Sequence, residues 1–558
     1  MDQKLPLKRL YAVGKPFWVS RHKWRGLLLL GGILGLLFAI IFVNVGNSYL
    51  TGRMMDALQA RESATFYKLA GTCVLVMLAG LPVGVYYGWL RTRLAILWRQ
   101  WLTAHLVGKY LSSRAYYRIA SEGKIDNPDE RITQDVDTFC NMSVGLSMSL
   151  VDSILNICSF AGVLFSISFN LTLFDLAYAA VGSVATVWLG NRLIALNFEH
   201  TKLEADLRYS ITDVRRDFES IAFYRSERRV KLQILRNLLN TMRNIGAIND
   251  LNRNLSFFIS GFNQMVPSLA VVLAAPLFFR NEIKFGDLTQ ATMAFGAIFG
   301  GMTLLVNQWN PISAFAANIN RLGSFLETLD AMRVPGTPTD VQAIETIRSD
   351  HLELQKVTVK TPDGRVLVRE LSLSVGDGGL MIIGPSGAGK SSVLRAIAGI
   401  WTAGSGTLLC PPLQSMMFLP QRVHLPPCTL REALAYPRTR TSASDMQLCA
   451  ILKLVNLSEL PARCGGLDAS HEWRDMLSQG EQQRLSFARL LLHRPKWAVL
   501  DEVSSALDEE NEKALHTLLA GYGITPISVG HRQSLRQYHS QVLLLKGDGS
   551  WELQTASA

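Results

Sequence analysis

The sequence predicts a membrane α-helical domain with six transmembrane helices, fused to an α/β domain of the P-loop type. Three observations lead to this prediction. The chain has 558 residues, more than one core usually serves. Uncharged runs long enough to cross a bilayer are confined to its first 325 residues. A glycine-rich run ending in Lys390-Ser391 follows a short apolar run in the remainder. We expect the membrane domain at 1–325, a linker at 326–350 and the second domain at 351–558.

The composition excludes several classes of protein. Hydrophobic residues make up 48% of the chain and charged residues only 18%, against roughly 25% charged in soluble proteins. This excludes a disordered chain and argues against an entirely soluble enzyme. The net charge of +11 suits nucleic acid or an anionic membrane, and the segregated apolar runs favour the membrane, with no nucleic-acid partner. Seven cysteines without a C-x-x-C pair exclude a dense disulfide framework and an obvious zinc site, and suit a reducing compartment.

Six membrane spans are predicted from runs with few or no charged residues. A span needs about 20 such residues. The alternative for a single run is a buried core helix, which is the less favoured interpretation, and six runs in series favour a bilayer. The first run is too long for a signal peptide and no A-x-A cleavage site follows it. The predicted spans cover 26–48, 69–90, 145–168, 172–194, 255–279 and 288–309.

The loops between the spans predict the orientation of the chain. Residues 1–25 carry seven Lys or Arg and one acidic residue, and positively charged flanks stay cytoplasmic. The turn near Asn170 and the loop 280–287 are short, whereas segments 91–140 and 192–253 are long and charged. We therefore expect a cytoplasmic N-terminus, a cytoplasmic second domain and helices that continue beyond the membrane on that side.

One acidic residue, Asp175, lies inside the fourth predicted span, about five residues beyond the turn near Asn170. A carboxylate within a span is costly and tends to face protein interior or a water-filled path. Two interpretations are open for it. It lies at the outer headgroup level, where charge costs little, or it is a group at the outer gate that pairs with substrate or carries a proton.

A phosphate-binding loop is predicted where the apolar run Leu380–Ile383, a buried-strand pattern, meets a helix predicted over 392–400. The intervening run matches G-x-x-x-x-G-K-S. Backbone N–H groups of such a loop and the following helix N-terminus bind phosphates. Lys390 is expected to reach the β- and γ-phosphates and Ser391 to bind Mg²⁺. The predicted nucleotide-binding residues are Gly384, Pro385, Ser386, Gly387, Ala388, Gly389, Lys390, Ser391 and Ser392.

A second predicted strand, Trp497–Leu500, ends in two acidic residues, Asp501 and Glu502. Acidic pairs often end strands, so this pair carries weight only because a P-loop precedes it. A carboxylate at the end of such a strand can hold Mg²⁺, and we assign this role to Asp501. The neighbouring Glu502 is placed to polarise the attacking water.

Between these motifs lies the run LSQGEQQR at 477–484, which begins like a capping box with Ser478 and Glu481. This run resembles the LSGGQ or LSGGE signature of ABC transporters. Other motifs follow in that family's order: 418–421 resembles the Q-loop, 505–508 resembles the D-loop, and His531 resembles the switch histidine after a predicted strand at 526–529. The similarity covers about 369–544.

This resemblance implies an ABC nucleotide-binding domain that uses ATP and Mg²⁺. It implies further roles in ATP binding for Ser478, Gly480, Glu481 and Asp508, roles in catalysis for Gln421, Glu502 and His531, and a metal site made by Ser391, Gln421 and Asp501. The chain departs from the family in one respect. The segment Leu352–Ile383 contains no aromatic residue that would stack on adenine ahead of the P-loop.

The membrane half is similar to D-subfamily ABC half-transporters and to bacterial relatives akin to SbmA/BacA-type peptide uptake proteins, over roughly residues 40–325. The similarity implies an exporter-type (type IV) ABC fold. It implies a homodimer, because ABC sites form between a P-loop on one domain and a signature on another. The acidic run at 126–135 is either a solvated face or a helix that docks on the nucleotide-binding domain. The segments that carry the similarity are 98–103, 116–119, 126–135 and 219–227.

We therefore expect an ATP-driven transporter that works as a homodimer in a bacterial inner membrane. Its substrate is expected to be a small hydrophilic or amphipathic solute, resembling a cobalamin, a peptide or an acyl compound, and inward transport is left open. The chain lacks the long N-terminal extension of organellar members, which favours the bacterial location. Three alternatives are open: a lipid or drug exporter, a proton-coupled peptide carrier with a regulatory ATPase domain, and a membrane-anchored ATPase that does not transport.

Overall fold

The computed structural model describes residues 7–122, 125–302, 309–332, 343–361, 363–504, 506–530 and 532–555. The chain divides into two compact units, Met1–Pro335 and Gly336–Ala558. The boundary between these units lies inside the predicted linker 326–350, which also includes the end of one helix and the first strand.

The first unit is helical in its described residues. A short helical turn at Pro128–Glu130 and a π-helical segment at Arg131–Asp135 lead into the fifth of its helices. In chain order the helices are α1 (Leu7–Val19), α2 (Lys23–Gln59), α3 (Ser63–Leu111), α4 (Ala115–Glu122), α5 (Val136–Ile167), α6 (Phe169–Arg216), α7 (Phe218–Tyr224), α8 (Glu227–Phe279), α9 (Phe285–Met302) and α10 (Trp309–Ala331).

Within the described residues, five helical segments are long and apolar enough to cross a membrane, and each overlaps one of the first five predicted spans. The sixth predicted span, 288–309, begins in α9 and continues over 303–308, which lie outside the described residues. The five segments are Lys23–Gln59, Ser63–Leu111, Pro128–Ile167, Phe169–Gly190 and Glu227–Phe279.

Three helices are much longer than a bilayer is thick. Helix α3 has 49 residues, α6 has 48 and α8 has 53. At about 1.5 Å per residue these lengths exceed 70 Å, against about 30 Å for the hydrocarbon core. Their charged ends, in segments 91–140 and 192–253, therefore continue as helix outside the membrane.

The turn between α5 and α6 lies at Ser168, two residues before the predicted position near Asn170. Ser168 has extended backbone, with φ −162° and ψ 127°. Its carbonyl oxygen accepts a hydrogen bond from the Thr172 hydroxyl at 3.0 Å, so Asn170 already belongs to the first turn of α6. Helix α6 thus begins at Phe169, three residues before the start of the fourth predicted span, 172–194.

Small residues hold α8 and α9 close to their neighbours. The buried side chains on these two helices include Ala270, Ala274, Ala291 and Ala294, and they pack in one apolar cluster with residues of α5 and α6. Small side chains let membrane helices approach closely, which strengthens their van der Waals packing.

The second unit contains two sheets. The larger has the order β12-β11-β4-β10-β9-β6, with all neighbours parallel except β11 and β12. Its strands are β4 (Leu380–Ile383), β6 (Met416–Leu419), β9 (Trp497–Asp501), β10 (Thr525–Val529), β11 (Gln541–Leu545) and β12 (Trp551–Thr555). The smaller has the order β1-β5-β2-β3, made of β1 (Glu345–Arg348), β2 (Leu352–Lys360), β3 (Val366–Val375) and β5 (Gly404–Cys410).

The remaining elements of this unit are a ribbon and several helices. The ribbon pairs β7 (Cys428–Thr429) with β8 (Ser470–His471). The predicted helix 392–400 is α11, which starts two residues earlier and ends at Ile397, because Gly399 has φ +63° and terminates it. The helices are α11 (Lys390–Ile397), α12 (Leu430–Ala435), α13 (Asp445–Leu454), α14 (Gln479–His493) and α15 (Glu509–Gly521), with short turns at Leu460–Arg463 and Trp473–Met476.

Candidate functional site: a nucleotide-binding edge

Adjacent parallel strands bring the P-loop and the predicted acidic pair, Asp501 and Glu502, to one edge of the larger sheet. Strand β10 pairs with β4 on one side and with β9 on the other. Because the carboxyl ends of parallel strands meet at the same edge, the loops after these strands lie side by side, and ligands of open α/β sheets bind there. The P-loop follows β4, and Asp501 and Glu502 end β9.

The P-loop has a backbone that only glycine accepts easily at two positions. Gly384 has φ +153°, and a Cβ there would collide with the Leu545 carbonyl oxygen. Gly389 has φ +95° and immediately precedes α11, where a Cβ would lie 3.0 Å from Leu367 Cβ. The loop therefore closes tightly over the N-terminus of α11, which leaves its backbone N–H groups available to an anion.

Lys390 is held against the loop that it terminates. Its Nζ donates hydrogen bonds to the carbonyl oxygens of Gly384 at 2.9 Å and Pro385 at 3.1 Å, and the residue is only 7% exposed. The ammonium group is therefore positioned at the loop where phosphate oxygens are predicted to bind. A cation in this place stabilises the charge of the terminal phosphates.

Ser391 and Asp501 meet between α11 and β9. The Ser391 hydroxyl donates to Asp501 Oδ1 at 3.1 Å. Burial raises the pKa of the Asp501 carboxyl above its ordinary value, and the charge of Glu502 adds to this, while the Ser391 hydrogen bond opposes it. A divalent cation bound beside Asp501 would favour the ionised form of its carboxyl group.

A hydroxyl and a carboxylate are oxygen ligands of the kind that Mg²⁺ prefers, together with substrate phosphates and water. The described residues contain no cluster of three or more His, Cys, Asp or Glu that could hold a metal by itself. Ser391 and Asp501 thus fit a Mg²⁺ ion that also depends on a bound nucleotide.

Glu502 is turned away from the strand that precedes it. Its φ is +51°, in the left-handed region that non-glycine residues seldom adopt. Its backbone N–H donates to the Val529 carbonyl oxygen at 3.1 Å, and its Oε2 accepts a hydrogen bond from Gln421 Nε2 at 2.9 Å. Strained residues of this kind are held by their surroundings and cluster at functional sites. A hydrogen bond therefore holds Gln421 of the Q-loop and Glu502 together.

The signature residues cap helix α14 rather than contacting the P-loop. Ser478 Oγ accepts from the Glu481 backbone N–H at 3.3 Å, and Glu481 Oε2 accepts from the Ser478 N–H at 2.9 Å. Arg463 forms an ion pair with Glu481 at 2.8 Å. Burial alone would raise the pKa of Glu481, but the hydrogen bonds from Arg463 and Ser478 outweigh it and hold the pKa below its ordinary value.

The D-loop packs on the signature. A Cβ at Gly480 would lie 3.3 Å from the Ala506 carbonyl oxygen, and the buried Gln483 side chain accepts from the Ala506 N–H at 3.1 Å. Asp508 caps α15 by accepting from the Asn511 backbone N–H at 2.7 Å, which lowers the pKa of Asp508. Within the described ranges, no hydrogen bond or ion pair joins Ser478, Gly480 or Glu481 to the P-loop.

His531 and Ser505 lie outside the described residues, but the residue after His531 is in place. Arg532 donates to the Leu507 carbonyl oxygen at 2.9 Å and pairs with the buried Glu512 carboxylate at 3.3 Å. Sequence reasoning missed Arg532, Glu512 and Gln483. Arg532 directly follows His531, and Gln483 lies inside the signature run 477–484, which was the available signal, whereas nothing in the sequence marked Glu512.

Comparisons with known proteins agree in both units. Residues 16–279 match the family model described as ABC transporter transmembrane region 2, and residues 368–505 match the model described as ABC transporter.

Three relatives and one solved structure are similar over nearly the whole chain. An uncharacterised ABC transporter ATP-binding protein of Synechocystis is 40% identical, over 96% of this chain and 82% of its own. The chloroplastic ABC transporter D family member 2 of Arabidopsis thaliana is 34% identical, over 99% and 88%. The lysosomal cobalamin transporter of Homo sapiens is 32% identical, over 96% and 94%. An ATP-bound bacterial Atm1-family ABC exporter has the same fold, with a TM-score of 0.77 at 17% identity, covering 95% and 96% of the two chains.

Proposed function

The chain belongs to the ABC transporters with fused membrane and ATP-binding domains and is homologous to D-subfamily members, and from this premise we propose that it works as a homodimer. ATP hydrolysis coupled to transport follows from the family. The proposal adds the assembly, the substrate class, the location and the roles of individual residues.

The homodimer is supported by the place of the signature. Ser478 and Gly480 belong to one cluster with the D-loop, whereas Lys390 and Ser391 belong to another with Asp501. An ABC site needs a P-loop and a signature together. A second copy related by a two-fold axis supplies each P-loop with the other chain's signature.

The chemistry of the proposed site follows from its side chains. The P-loop N–H groups and Lys390 bind the phosphates, Glu502 orients the attacking water, and Gln421 holds the Glu502 carboxylate. His531 is assigned to the γ-phosphate as a further donor. Mg²⁺ held by Ser391, Gln421 and Asp501 would neutralise charge on the phosphate oxygens.

The proposed substrate is a small hydrophilic or amphipathic solute, of a class that includes cobalamins, peptides and acyl compounds. Two observations support it. One relative is by name a lysosomal cobalamin transporter, and the predicted spans carry scattered uncharged polar residues, among them Asn156, Asn263 and Gln264. Uncharged amides suit a polar ligand without a fixed ionic group.

The proposed location is a bacterial inner membrane, with the N-terminus and the ATP-binding domain in the cytoplasm. The bacterial relative at 40% identity supports the location. The seven basic residues within 1–25 support the orientation.

Sealed vesicles test the substrate and the direction together. Purified protein is reconstituted and supplied with ATP on the ATP-binding side, and uptake and efflux are followed for cobalamin, a short peptide and an acyl-CoA. The proposal expects that one of these raises ATP hydrolysis and moves only when Glu502 is intact. Hydrolysis that none of the three stimulates would contradict the substrate class. Transport that stops when a proton gradient is collapsed, with ATP present, would favour a proton-coupled carrier.

A further inference from the structure

Asp175 is a buried acidic residue of the membrane unit. Its relative exposure is 0%, and neither carboxyl oxygen has a hydrogen-bond partner among the described residues. It lies six residues after the start of α6, about 9 Å along the helix axis. This depth agrees with the position expected from the sequence. A fully buried carboxyl group, however, has no contact with water at the headgroup level in this conformation.

The surroundings of Asp175 are apolar. One turn before and one turn after it on the same face of α6, Leu171 and Ala179 are buried in the cluster formed with α5, α8 and α9. This cluster includes Val266 and Ala270 of α8 and Ala291 and Ala294 of α9. The carboxyl group therefore projects into a helix interface built from apolar side chains.

Few titratable groups face this interface. The membrane part of α8, residues 254–279, contains no ionisable side chain, and α9 contains Asp287 at its outer end. On α5, residues 153–167 contain Cys158, which is exposed, and on α6 the neighbouring titratable group is Tyr178. The membrane parts of the packed helices therefore supply no cation to balance an ionised Asp175. At the outer ends of α8 and α9, the cations nearest in the chain are Arg280 and Lys284 of the loop between them, where Arg280 lies 3.9 Å from Glu282.

An aromatic layer closes the interface on the inner side of Asp175. Tyr178 stacks on Phe262 with ring centroids 4.1 Å apart, and its hydroxyl donates to the Phe262 carbonyl oxygen at 3.0 Å. Phe299 and Phe258 extend the layer, at 5.6 and 5.5 Å from Phe262. A Cβ at Gly182 would collide with the Phe262 ring, so α6 and α8 are in close contact there. The layer therefore screens Asp175 on the inner side, whereas the outer end of α6 is only about 9 Å away along the helix axis.

We propose that Asp175 is a proton-binding site of the transport cycle, open to the outer compartment. An ionised carboxylate without hydrogen-bond donors is strongly disfavoured in such a place, so the group is a neutral acid while α6 packs against α8 and α9. When these helices separate, the carboxyl group releases its proton to outer water, and it takes one back before the helices repack. The inference rests on the proposed transport cycle, which supplies the separation of the helices.

Infrared spectroscopy of the full chain in lipid nanodiscs tests the protonation directly. At neutral pH without nucleotide, the difference between wild type and Asp175→Asn should contain the carbonyl stretch of a protonated carboxylic acid. The matched control is Asp287→Asn, which lies at the same end of the membrane unit but accepts a hydrogen bond from the Lys284 N–H at 2.8 Å. The control difference should lack that band. The proposal would be overturned if the difference between wild type and Asp175→Asn lacked this band too.

A second measurement follows the proton through the cycle. In proteoliposomes with the ATP-binding domain outside, the lumen corresponds to the outer compartment. Wild-type ATP hydrolysis should slow as lumenal pH rises, by at most about tenfold per pH unit for one proton. Asp175→Asn, which imitates the neutral acid, should hydrolyse ATP at a rate independent of lumenal pH.

The outcomes separate this inference from the proposed function. A lumenal pH dependence that persists in Asp175→Asn would overturn the proton site and leave the transporter intact. If Asp175→Asn does not fold, a Glu502→Gln chain that keeps Asp175 carries the test in proteoliposomes. Its protonated-acid band must disappear when ATP traps the ATP-bound state at high lumenal pH, and a band that persists would contradict the proposal. No ATP hydrolysis in the wild type would contradict the proposed function instead.

Discussion

Two neighbouring carboxyl groups at the end of β9 are held by different donors. Asp501 accepts from the Ser391 hydroxyl at 3.1 Å, whereas Glu502 accepts from the Gln421 amide at 2.9 Å. The left-handed backbone of Glu502 turns its side chain away from the direction of the strand. Adjacent residues of one chemical type can therefore serve as metal ligand and as water-orienting group.

The first prediction concerns this division. Glu502→Gln keeps the shape of the side chain and the P-loop, so ATP should still bind. Hydrolysis should fall by about 10²–10⁴-fold, because the charge that polarises water is lost. Binding of a fluorescent ATP analogue and steady-state phosphate release measure the two effects.

Two further variants complete that experiment. Lys390→Ala should weaken both binding and hydrolysis, because it removes the cation at the phosphates. Glu510→Gln, an exposed change in the first turn of α15, should alter neither. Near-native turnover in Glu502→Gln would show that another group activates the water.

The second prediction concerns the base. The segment Leu352–Ile383 has no aromatic side chain, and stacking of a base on an aromatic ring is worth about 1–3 kcal/mol in nucleic-acid sites. Without it, hydrolysis of GTP should reach within roughly tenfold of that of ATP. The ratio of kcat/KM for ATP and GTP measures this preference. A strong preference for ATP would mean that a residue elsewhere binds adenine.

At the scale of elements, capping boxes start three described helices of the second unit, α12, α13 and α14, and those of α13 and α14 share a serine at the N-cap. Ser478 caps α14 with Glu481, and Ser444 caps α13 with Gln447. Only the first belongs to the proposed ATP site, so the pair separates a structural from a functional effect.

The third prediction uses this pair. Ser478→Ala and Ser444→Ala should each destabilise the fold by about 1 kcal/mol, because each loses one N-cap hydrogen bond. Thermal unfolding without nucleotide measures this loss. Only Ser478→Ala should also reduce ATP hydrolysis. Equal ATPase rates in the two variants would remove Ser478 from the proposed site.

The fourth prediction concerns the pH dependence of the stability that Glu481 contributes at the start of α14. The pKa of Glu481 is lower in the folded state than in an unfolded chain, so its contribution to stability is present above the ordinary pKa. It is lost as the pH falls through the folded value. The melting temperature of Glu481→Gln should therefore decrease less on acidification than that of the wild type. A parallel decrease in both proteins would mean that the Arg463 ion pair adds nothing.

The sequence allowed the elements around the site to be predicted because the P-loop, the acidic pair and the switch histidine each follow a short apolar run. Strands β4, β9 and β10 occur within one residue of the predicted runs. Helix ends in the membrane unit were harder to place, because α3, α6 and α8 continue past the bilayer as charged helix. Apolar runs mark only the membrane part of such helices.

Contacts between distant segments were not predictable from one sequence. Arg532 reaches Leu507 because strand order brings the loops after β9 and β10 together. The depth of Asp175 followed from its distance to the turn, whereas its burial depends on which helices pack against α6. Spacing along the chain carries no information on such neighbours.

At the scale of the whole molecule, the chain holds both halves of the proposed ATP site but keeps them in separate clusters. The P-loop cluster contains Lys390 and Asp501, and the signature cluster contains Ser478, Gly480 and the D-loop. In the proposed homodimer, two copies form two sites, each made from the P-loop of one chain and the signature of the other.

Heterodimers isolated with two affinity tags test this central claim most directly. One heterodimer combines a Lys390→Ala chain with a Ser478→Arg chain, and the other combines a wild-type chain with a chain carrying both changes. If sites are shared between chains, the first heterodimer keeps one intact site and should hydrolyse ATP, whereas both sites of the second are damaged. If each chain forms its own site, the first should be inactive and the second should keep the activity of its wild-type chain, and that result would contradict the account.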